Sequence, residues 1–241
     1  MQQDILFISD LHLGLDKPEI TRRFLDFLKN TASKASALYI LGDLFDAWIG
    51  DDDPTPPNNQ IRKQLKELVL SGVNVFLQLG NRDFLLGQRF CNETGVILLN
   101  DYVVIDLFGT PTLLTHGDLL CTDDLTYQAF RVKSHTDLWK KNVLSKPLLL
   151  RLIVARWYRI RSYFHKRRKS TNIMDVNQNA VIEKMTQYQC HRLIHGHTHR
   201  PDVHEFIIDN ILAQRFVLAA WDKNTGSVLS WNDEGYQIIT I

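Results

Sequence analysis

The sequence contains little cysteine, and the few cysteines form no pattern. Cys91, Cys121 and Cys190 are far apart and odd in number. A disulfide framework needs paired cysteines, so the sequence excludes one and favours a reducing compartment. We therefore expect a cytoplasmic protein in which Cys121 is a small buried residue rather than a nucleophile.

Long hydrophobic runs are also absent, and the N-terminus shows no signal-peptide pattern. The sequence therefore predicts no membrane-spanning helix. An excess of either charge is lacking too, because the formal net charge at pH 7 is +1. A protein so balanced does not, as a whole, bind nucleic acid through a basic surface. Its 241 residues, 44% of them hydrophobic, suffice for one large domain with an apolar core.

Acidic residues are nearly absent between positions 131 and 169, where Asp137 is the only one. The same segment holds thirteen lysines and arginines, interleaved with leucine, isoleucine, tryptophan and tyrosine. A basic amphipathic helix of this composition suits an anionic membrane surface. The pattern fits equally well a solvated helix pair that packs its apolar face on the domain. The residues alone leave both interpretations open.

Short apolar runs alternate with helical periodicity in the first third of the chain. The runs at 5–8, 38–41 and 73–79 predict strands, and the segments 18–35 and 61–70 predict helices. This order predicts parallel strands joined by crossover helices, and hence an α/β fold of packed sheets with outer helices. The acidic stretch 51–53 is expected to be a solvated loop. Later segments predict a strand pair within 96–115, a helix at 172–188, a strand at 193–194 and a β-meander over 203–241.

The first apolar run ends in three polar residues, Ser9, Asp10 and His12. Side chains two residues apart in a strand point to one side, so Asp10 and His12 would face one point if the strand continued. A carboxylate and an imidazole directed at one point suit a divalent metal ion. The alternative is a polar loop in which Asp10 caps the next helix.

Four further apolar runs end in the same way, and this repetition favours the metal interpretation. Glycine or a tight turn leads from each run into side chains that can bind metal. This mixture of oxygen and nitrogen donors is too large for one tetrahedral zinc ion, but it suits two octahedral ions such as Mn²⁺ sharing a bridging carboxylate. Two ions about 3.5–4 Å apart form a clamp for phosphoryl transfer. The candidate ligands are Asp10, His12, Asp43, Asn81, His116, His197 and His199.

The motifs that carry these candidates resemble the calcineurin-like metallophosphoesterase superfamily. They span nearly the whole chain and read Asp10-x-His12, Gly42-Asp43-x-x-Asp46, Gly80-Asn81-x-Asp83, His116 and Gly196-His197-x-His199. The resemblance implies a four-layer αββα sandwich around a dinuclear site. It assigns one metal to Asp10, His12, Asp43 and His199. It assigns the other to Asp43, Asn81, His116 and His197, with Asp43 as the bridge.

A longer set of motifs is similar to the UDP-2,3-diacylglucosamine pyrophosphatase family of lipid A biosynthesis. This resemblance implies Mn²⁺-dependent hydrolysis of UDP-2,3-diacylglucosamine to 2,3-diacylglucosamine 1-phosphate and UMP. It also implies one domain over 1–241, with a basic, apolar helical cap inserted at 124–170. The cap would cover the acyl chains, and the protein would lie peripherally on the cytoplasmic face of the inner membrane. The motifs occupy 38–45, 48–52, 80–85, 116–118, 120–124, 173–178 and 194–200.

The same resemblance implies a set of substrate contacts. At position 166 the family has an asparagine contact, whereas this sequence has a lysine, so the head-group contact differs there. The substrate-binding residues implied are Asn81, Arg82, Asp124, Ser162, Lys166, Lys169 and His197.

Arg82 occupies the position where many phosphatases of this fold carry a histidine that protonates an alcohol leaving group. A phosphate monoester, with a pKa of about 6, leaves without such an acid. The guanidinium fork instead fits phosphate oxygens. Arg82, together with Asp43, is therefore a candidate catalytic residue for cleaving a phosphoanhydride. The alternative is that Arg82 forms a surface ion pair with Asp83.

Two other functions fit parts of the sequence. A nuclease or phosphoprotein phosphatase could use the basic segment to hold its substrate, but the aliphatic content of that segment argues against a nucleic-acid groove. A non-enzymatic scaffold would have lost metal ligands, whereas every ligand position here is filled. His195 is expected to support the ligands rather than bind metal.

Overall fold

Two mixed β-sheets form the centre of the protein. The computed structural model describes residues 4–166 and 175–241, with side chains throughout except at 159–166. The strands are β1 (Ile5–Ile8), β2 (Ala37–Leu41), β3 (Asn74–Gln78), β4 (Ile97–Leu98), β5 (Val103–Leu107), β6 (Thr110–Thr115), β7 (Arg192–His195), β8 (Asp202–Ile208), β9 (Ile211–Val217), β10 (Ser227–Asn232) and β11 (Gly235–Thr240). One sheet has the order β11-β10-β1-β2-β3-β4, and the other has the order β5-β6-β7-β9-β8.

Helices cover the outer faces of both sheets and build a separate lobe. The first helix begins at Pro18, whose fixed φ suits a first turn, and it buries Ile20, Phe24 and Phe27 along one face. The helices are α1 (Pro18–Asn30), α2 (Asn58–Leu70), α3 (Gln88–Thr94), α4 (Leu125–Ser134), α5 (Asp137–Leu144), α6 (Leu148–Lys166) and α7 (Gln178–Gln187).

Three apolar clusters separate four layers, which confirms the predicted αββα sandwich. The first cluster lies between one sheet and α1, α2 and α3. The second lies between the two sheets, where Phe7 and Tyr39 face Phe216. The third lies between the other sheet and α7. Successive residues of β1 point alternately into the first and second clusters, so this strand is buried on both faces as its apolar run predicts.

The predicted parallel β-α-β-α-β unit is confirmed. Strand β1 pairs with β2 in parallel, and β2 pairs with β3 in parallel. Strands β6 and β7 of the other sheet are parallel too. The chain therefore leaves β1, β2 and β3 at one edge of the first sheet, and β6 and β7 at one edge of the second.

The predicted β-meander over 203–241 is wrong. The four strands form two hairpins that belong to different sheets, since β8 pairs with β9 in one and β10 pairs with β11 in the other. Between the hairpins, the buried ring of Trp221 packs edge-on against Phe24 and Phe27 of α1. This contact joins residues far apart in sequence. The alternation pattern within 203–241 therefore does not predict that β10 and β11 belong to the first sheet.

The helix predicted at 172–188 begins later than expected. The side chain of Asn177 accepts hydrogen bonds from the amides of Asn179 and Ala180, which caps α7 and sets its first residue at Gln178. Residues 175–177 are not helical. Residues 172–174 lie outside the described part of the chain.

The predicted cap, residues 124–170, contains α4, α5 and α6. In the described ranges, no helix is both long and apolar enough to cross a membrane. Asp124 accepts a hydrogen bond from the amide of Tyr127 and so caps α4, while Thr136 caps α5 through the amide of Trp139. The domain boundaries themselves stay a prediction.

Candidate metal centre

The chain segments that follow β1, β2, β3, β6 and β7 meet at one place between the sheets. Backbone hydrogen bonds join them in pairs: the amide of Asp10 donates to the carbonyl of Gly42 over 3.1 Å, and that of Gly196 donates to the carbonyl of His116 over 2.9 Å. The carboxyl ends of parallel strands are where α/β folds place their sites. The structure brings all seven candidate ligands to this region, and their role as metal ligands stays a prediction.

The backbone at this place is unusual for residues that carry side chains. Asp10, His12, Asp43, His197 and His199 all have a positive φ, between 50° and 70°. Side chains disfavour this left-handed region, and such strain concentrates at functional sites. The prediction that continued strand geometry makes Asp10 and His12 face one point is therefore wrong. The strand ends at Ile8, and a left-handed turn at each residue, rather than continued strand geometry, directs the two side chains.

One group of side chains consists of Asp10, His12 and His199. Nε2 of His199 lies 3.2 Å from Oδ1 of Asp10 and 3.3 Å from Nε2 of His12. Nδ1 of His12 is buried and makes no hydrogen bond to any described residue. One carboxylate oxygen and two imidazole nitrogens thus converge, which is a donor set that divalent transition metals bind.

The second group lies beside the first and contains Asn81, His116 and His197. Nδ1 of His116 donates to the carbonyl oxygen of Leu41 over 2.8 Å, so its Nε2 faces the site. That nitrogen is 3.3 Å from Oδ1 of Asn81 and 3.2 Å from Nδ1 of His197. The amide oxygen of Asn81 is 3.1 Å from the same His197 nitrogen.

Asp43 lies between the two groups. Its Oδ2 is 3.7 Å from Nδ1 of His12, and its Oδ1 is 3.8 Å from Nε2 of His116. Asp10 is near both groups as well, since it also clusters with Asp43 and His116. Asp43 thus faces one histidine from each group, which is the position that a bridging carboxylate needs.

Two glycines make this close approach possible. A Cβ at Gly80 would collide with the carboxylate and backbone of Asp43, and a Cβ at Gly196 would collide with Ser9 and Asp10. Because only glycine lacks that atom, these positions let two loops approach the site within contact distance of its carboxylates.

Burial shifts the protonation of the two kinds of donor in ways that matter for a metal. Burial lowers the pKa of His12 to about 2, which keeps the imidazole neutral, as a metal ligand must be. Burial raises the pKa of Asp43 to about 8, and the nearby carboxylates of Asp83 and Asp10 add to the shift. A cation beside Asp43 supplies the positive charge that an ionised carboxylate needs at this depth. The donor set therefore fits divalent ions.

Asp83 contributes a connection that the sequence did not reveal. Its buried carboxylate accepts hydrogen bonds from the amide of Gly80 over 2.7 Å, and from those of Leu44 and Phe45 over 2.8 and 3.4 Å. It thereby ties the loop after β3 to the loop after β2. The sequence feature that could have indicated this role is the place of Asp83 in the Gly80-Asn81-x-Asp83 motif.

Arg82 lies beside the site through its backbone. Its amide donates to Oδ1 of Asp43 over 2.8 Å, and its carbonyl accepts from the amide of Trp48 over 3.0 Å. The alternative of an Arg82–Asp83 surface ion pair is not supported, because the carboxylate of Asp83 is buried among backbone amides.

A buried pair behind the site holds the loop that carries His197 and His199. Arg215 on β9 donates to Nε2 of His195 over 3.1 Å, so Nδ1 of His195 carries the proton and donates to the carbonyl of Gly196 over 2.8 Å. Burial lowers the pKa of His195 to about 3, and the charge of Arg215 adds to this effect. His195 thus supports the ligand loop, as expected, whereas sequence reasoning missed Arg215.

A second buried network joins α4 to the segment after β6. Asp118 accepts from Nε of Arg131 over 2.6 Å and from the hydroxyl of Tyr127, and Arg131 also pairs with Asp101 over 2.8 Å. Burial raises the pKa of the neighbouring Cys121 thiol to about 12, which agrees with a buried cysteine and not with a nucleophile. Because Asp118 follows His116 by two residues, this network fixes α4 close to the site.

The structure places three of the predicted substrate contacts at the site and one at the start of the cap, and it does not describe the side chains of the other three. Asn81, Arg82 and His197 lie at the site, and the side chain of Asp124 caps α4. Ser162 and Lys166 belong to the part of α6 whose side chains are not described, and Lys169 lies outside the described residues.

The expectation that 51–53 is a solvated loop is wrong for Asp51 and Asp53, whereas Asp52 is exposed. Asp51 accepts from Nε1 of Trp48 and from the amides of Gly87 and Phe90. Asp53 is 3% exposed and accepts from Asn58, and Asp52 pairs with Arg151 of α6. Asp51 and Asp52 have partners 36 and 99 residues away, whereas Asp53 binds Asn58, five residues away. A run of acidic residues alone could not indicate these different roles.

Comparison with known proteins shows which family the chain belongs to. Residues 4–201 match the family model described as calcineurin-like phosphoesterase. The chain belongs to this family. The calcineurin-like phosphoesterases are metal-dependent hydrolases, so divalent ions are implied at the site.

Two curated relatives cover almost the whole phosphoesterase. They are named UDP-2,3-diacylglucosamine hydrolase and come from Enterobacter sp. (strain 638) and Serratia proteamaculans (strain 568). Each is 49% identical to this chain over 234 residues, which is 97% of both sequences. A solved structure described as a novel archaeal phosphodiesterase aligns over 99% of both chains, with 14% identity and a TM-score of 0.49.

Proposed function

We propose that this phosphoesterase hydrolyses the pyrophosphate bond of UDP-2,3-diacylglucosamine in lipid A biosynthesis, giving 2,3-diacylglucosamine 1-phosphate and UMP. The observation that carries the proposal is the 49% identity to proteins of that name over 97% of their length. The convergence of seven candidate ligands at one place between the sheets supports it.

Two divalent ions would be held by the two groups of side chains. Asp10, His12, Asp43 and His199 would hold one, and Asp43, Asn81, His116 and His197 the other. The mixture of carboxylate, amide and imidazole donors supports Mn²⁺ as the ion used. When bound, such ions act as Lewis acids on phosphoryl oxygens and lower the pKa of water.

The protein's own residues would orient the substrate and its leaving group. The guanidinium of Arg82 would bind phosphoryl oxygens, where its fork makes two parallel hydrogen bonds as charge develops. Asn81, next to Arg82 on the loop after β3, and His197, on the loop after β7, would touch the same phosphates. The leaving group is a phosphate monoester that needs no proton donor, so an arginine suffices at position 82.

The cap would bind the acyl chains and the membrane surface. In the described part of the cap, large apolar side chains are exposed on all three helices, including Leu125 at 77%, Leu138 at 81% and Leu149 at 70%. Helix α5 packs the partly buried Trp139 and Val143 against the first cluster but leaves Leu138 and Leu144 exposed. A helix pair packed on the domain would bury such residues, so their exposure favours the lipid interpretation over the solvated one. Substrate contacts at Asp124, Ser162, Lys166 and Lys169 would lie in this cap. Basic residues of the cap would bind anionic lipid on the cytoplasmic face of the inner membrane.

The experiment is product identification with purified enzyme and Mn²⁺. UDP-2,3-diacylglucosamine in mixed micelles is expected to give equimolar UMP and 2,3-diacylglucosamine 1-phosphate by mass spectrometry. Water labelled with ¹⁸O should appear in UMP if the α-phosphorus is attacked. An oligonucleotide and a phosphoprotein serve as competing substrates. Faster turnover of either one, with the lipid left intact, would reject the proposal.

A further inference from the structure

Helix α6 holds to the rest of the protein in an unusual way. Among its described side chains, residues 148–158, Arg151 is the only buried one, at 6% exposed. Ile153 and Trp157 are more than half exposed. Helices of globular proteins normally dock through an apolar stripe. In the described part of α6 the buried contact is made by a charged residue, and the half-exposed Tyr158 adds a ring contact to Phe130 of α4, with centroids 6.1 Å apart.

The guanidinium of Arg151 fits into the acidic turn 51–53 and the residues before it. Its Nη1 donates to the carbonyl of Ile49 over 2.6 Å and to Oδ1 of Asp52 over 2.8 Å, and its Nη2 donates to Oδ2 of Asp52. Its Nε donates to the carbonyl of Lys146 over 2.9 Å. A Cβ at residue 50 would collide with Nη1, and Gly50 has a φ of +140°. The glycine therefore leaves space for the guanidinium.

The other two carboxylates hold this turn from the opposite side. Asp51 binds the amides of Gly87 and Phe90 at the start of α3. Asp53 binds the side chain of Asn58 at the start of α2 over 3.1 Å. The turn is thus fixed to the core independently of the cap, and Asp52 is left to face α6.

The same segment also contacts the metal centre. The amide of Trp48 donates to the carbonyl of Arg82 over 3.0 Å, one residue before Ile49 receives Arg151. Helix α6 then runs on from Arg151 to Ser162, a distance of about 16 Å at 1.5 Å per residue. A tilt of about 10° at Arg151 would displace position 162 by about 3 Å over that helix length.

We propose that Arg151 is a positioning residue that fixes α6, through Asp52 and Ile49, to the segment that also bonds Arg82 beside the metal centre. This inference rests on the proposed function, because the ligand positioned by α6 is the diacylated UDP-sugar. The bidentate ion pair sets the angle of the helix, and the exposed apolar side chains of α6 are left available to acyl chains.

The test compares Arg151→Met, Arg151→Lys, Asp52→Asn and the double variant Arg151→Met/Asp52→Asn. Hydrogen exchange is measured on peptides covering 148–158 and 80–90, with metal content measured in parallel. Arg151→Met should speed exchange in α6 by about tenfold or more and leave 80–90 unchanged, since Asp51 and Asp53 still hold the turn. For the lipid, KM should rise by about tenfold with a smaller change in kcat, because α6 positions substrate and does not touch the reacting atoms.

The pair should behave as one unit. Asp52→Asn should reproduce Arg151→Met, the double variant should be no worse than either, and Arg151→Lys should be intermediate because an ammonium cannot make the bidentate contact. Lys63→Met, which removes an exposed pair with Glu67 at 3.8 Å on α2, outside both peptides, is the matched control and should change neither readout.

Unchanged exchange in α6, or additive effects in the double variant, would overturn the inference. An unchanged KM for the lipid in a parent enzyme that cleaves it would do the same. A parent enzyme that does not cleave the lipid would instead reject the proposed function, and the exchange data would then decide by themselves whether Arg151 holds α6.

Discussion

Arg215 donates a hydrogen bond to Nε2 of His195 over 3.1 Å, in a part of the protein where both side chains are buried. Because Nε2 accepts this bond, the imidazole proton is on Nδ1, and Nδ1 donates to the carbonyl of Gly196. The ligand loop that carries His197 is thus held from behind by a residue 20 positions away from His195.

We expect Arg215→Met to destabilise the protein, because the buried Nε2 of His195 loses its donor. The cost of an unsatisfied buried acceptor is about 1–3 kcal/mol, measured by urea unfolding. Arg215→Lys should recover part of it. Lys29→Met, at an exposed position in the last turn of α1, is the control. Equal stabilities for Arg215→Met and the control would show that the pair does not hold the loop.

Asp43→Ala should lower turnover more than His12→Ala or His199→Ala. The reason is that Asp43 faces a histidine of each group. In the proposed dinuclear site its loss would loosen both ions, whereas each of the other changes would loosen one. Metal content by mass spectrometry and turnover are measured on the same samples. Two bound metals and near-normal turnover in Asp43→Ala would contradict a dinuclear site bridged by this residue.

Charge reversal in the cap should weaken membrane binding. Lys141→Glu/Arg156→Glu changes two exposed basic residues, each of which contributes about 1 kcal/mol near an anionic surface. Partitioning is measured by co-sedimentation with vesicles containing phosphatidylglycerol. Turnover of a water-soluble short-chain substrate should change much less.

The control for that experiment is Lys63→Glu/Lys66→Glu on α2, which makes the same change in net charge outside the cap. If both double variants partition like the parent, the basic residues of the cap form a solvated face and do not bind the membrane.

The cap should also make stability depend on pH through His135, which stacks on Phe84 with ring centroids 4.9 Å apart. Burial lowers the pKa of His135 to about 4 from 6.5, and the charges of Arg131 and Lys140 add to the shift. Between those two values the unfolded chain binds the proton and the folded chain does not, so stability falls as the pH falls from 6.5 toward 4. His135→Phe keeps the stack and removes this dependence. Stability is measured by urea unfolding at pH 7.5 and 4.5. The variant should lose less stability than the parent between these pH values. Equal losses would show that His135 does not cause the dependence.

Arg82→Ala should slow cleavage of the UDP-sugar lipid by about 10²-fold or more, as expected for losing one donor to the transition state. Arg82→Lys should recover only part, because an ammonium does not make a bidentate contact. Arg82→His should not rescue the lipid reaction, although it restores a general acid for hydrolysis of an alkyl phosphomonoester.

Rates of the Arg82 variants are compared at matched metal content, so that a displaced Asn81 is not mistaken for lost catalysis. Cleavage of the lipid at the parent rate by Arg82→Ala would show that the guanidinium takes no part in the reaction.

The sequence revealed the α/β class and the position of the site because both depend on local patterns. The run Ile5–Ile8 and the polar residues after it are adjacent in the chain. By contrast, Asp52 meets Arg151 across 99 residues, and the crossing of the chain between sheets depends on Trp221 packing against α1. Such partners are set by the assembled fold, so neither an acidic run nor an alternating run identifies them.

The hydrogen bonds of Asp83 separate the residues that hold the ligand loops from the atoms that face the site. This carboxylate ties the loops after β2 and β3 together through backbone amides, and Asp10 receives Ser9 and the amide of His197 on Oδ2 while Oδ1 faces His199. A change at Asp83 would therefore displace several ligand-bearing segments at once without removing any donor atom from the site.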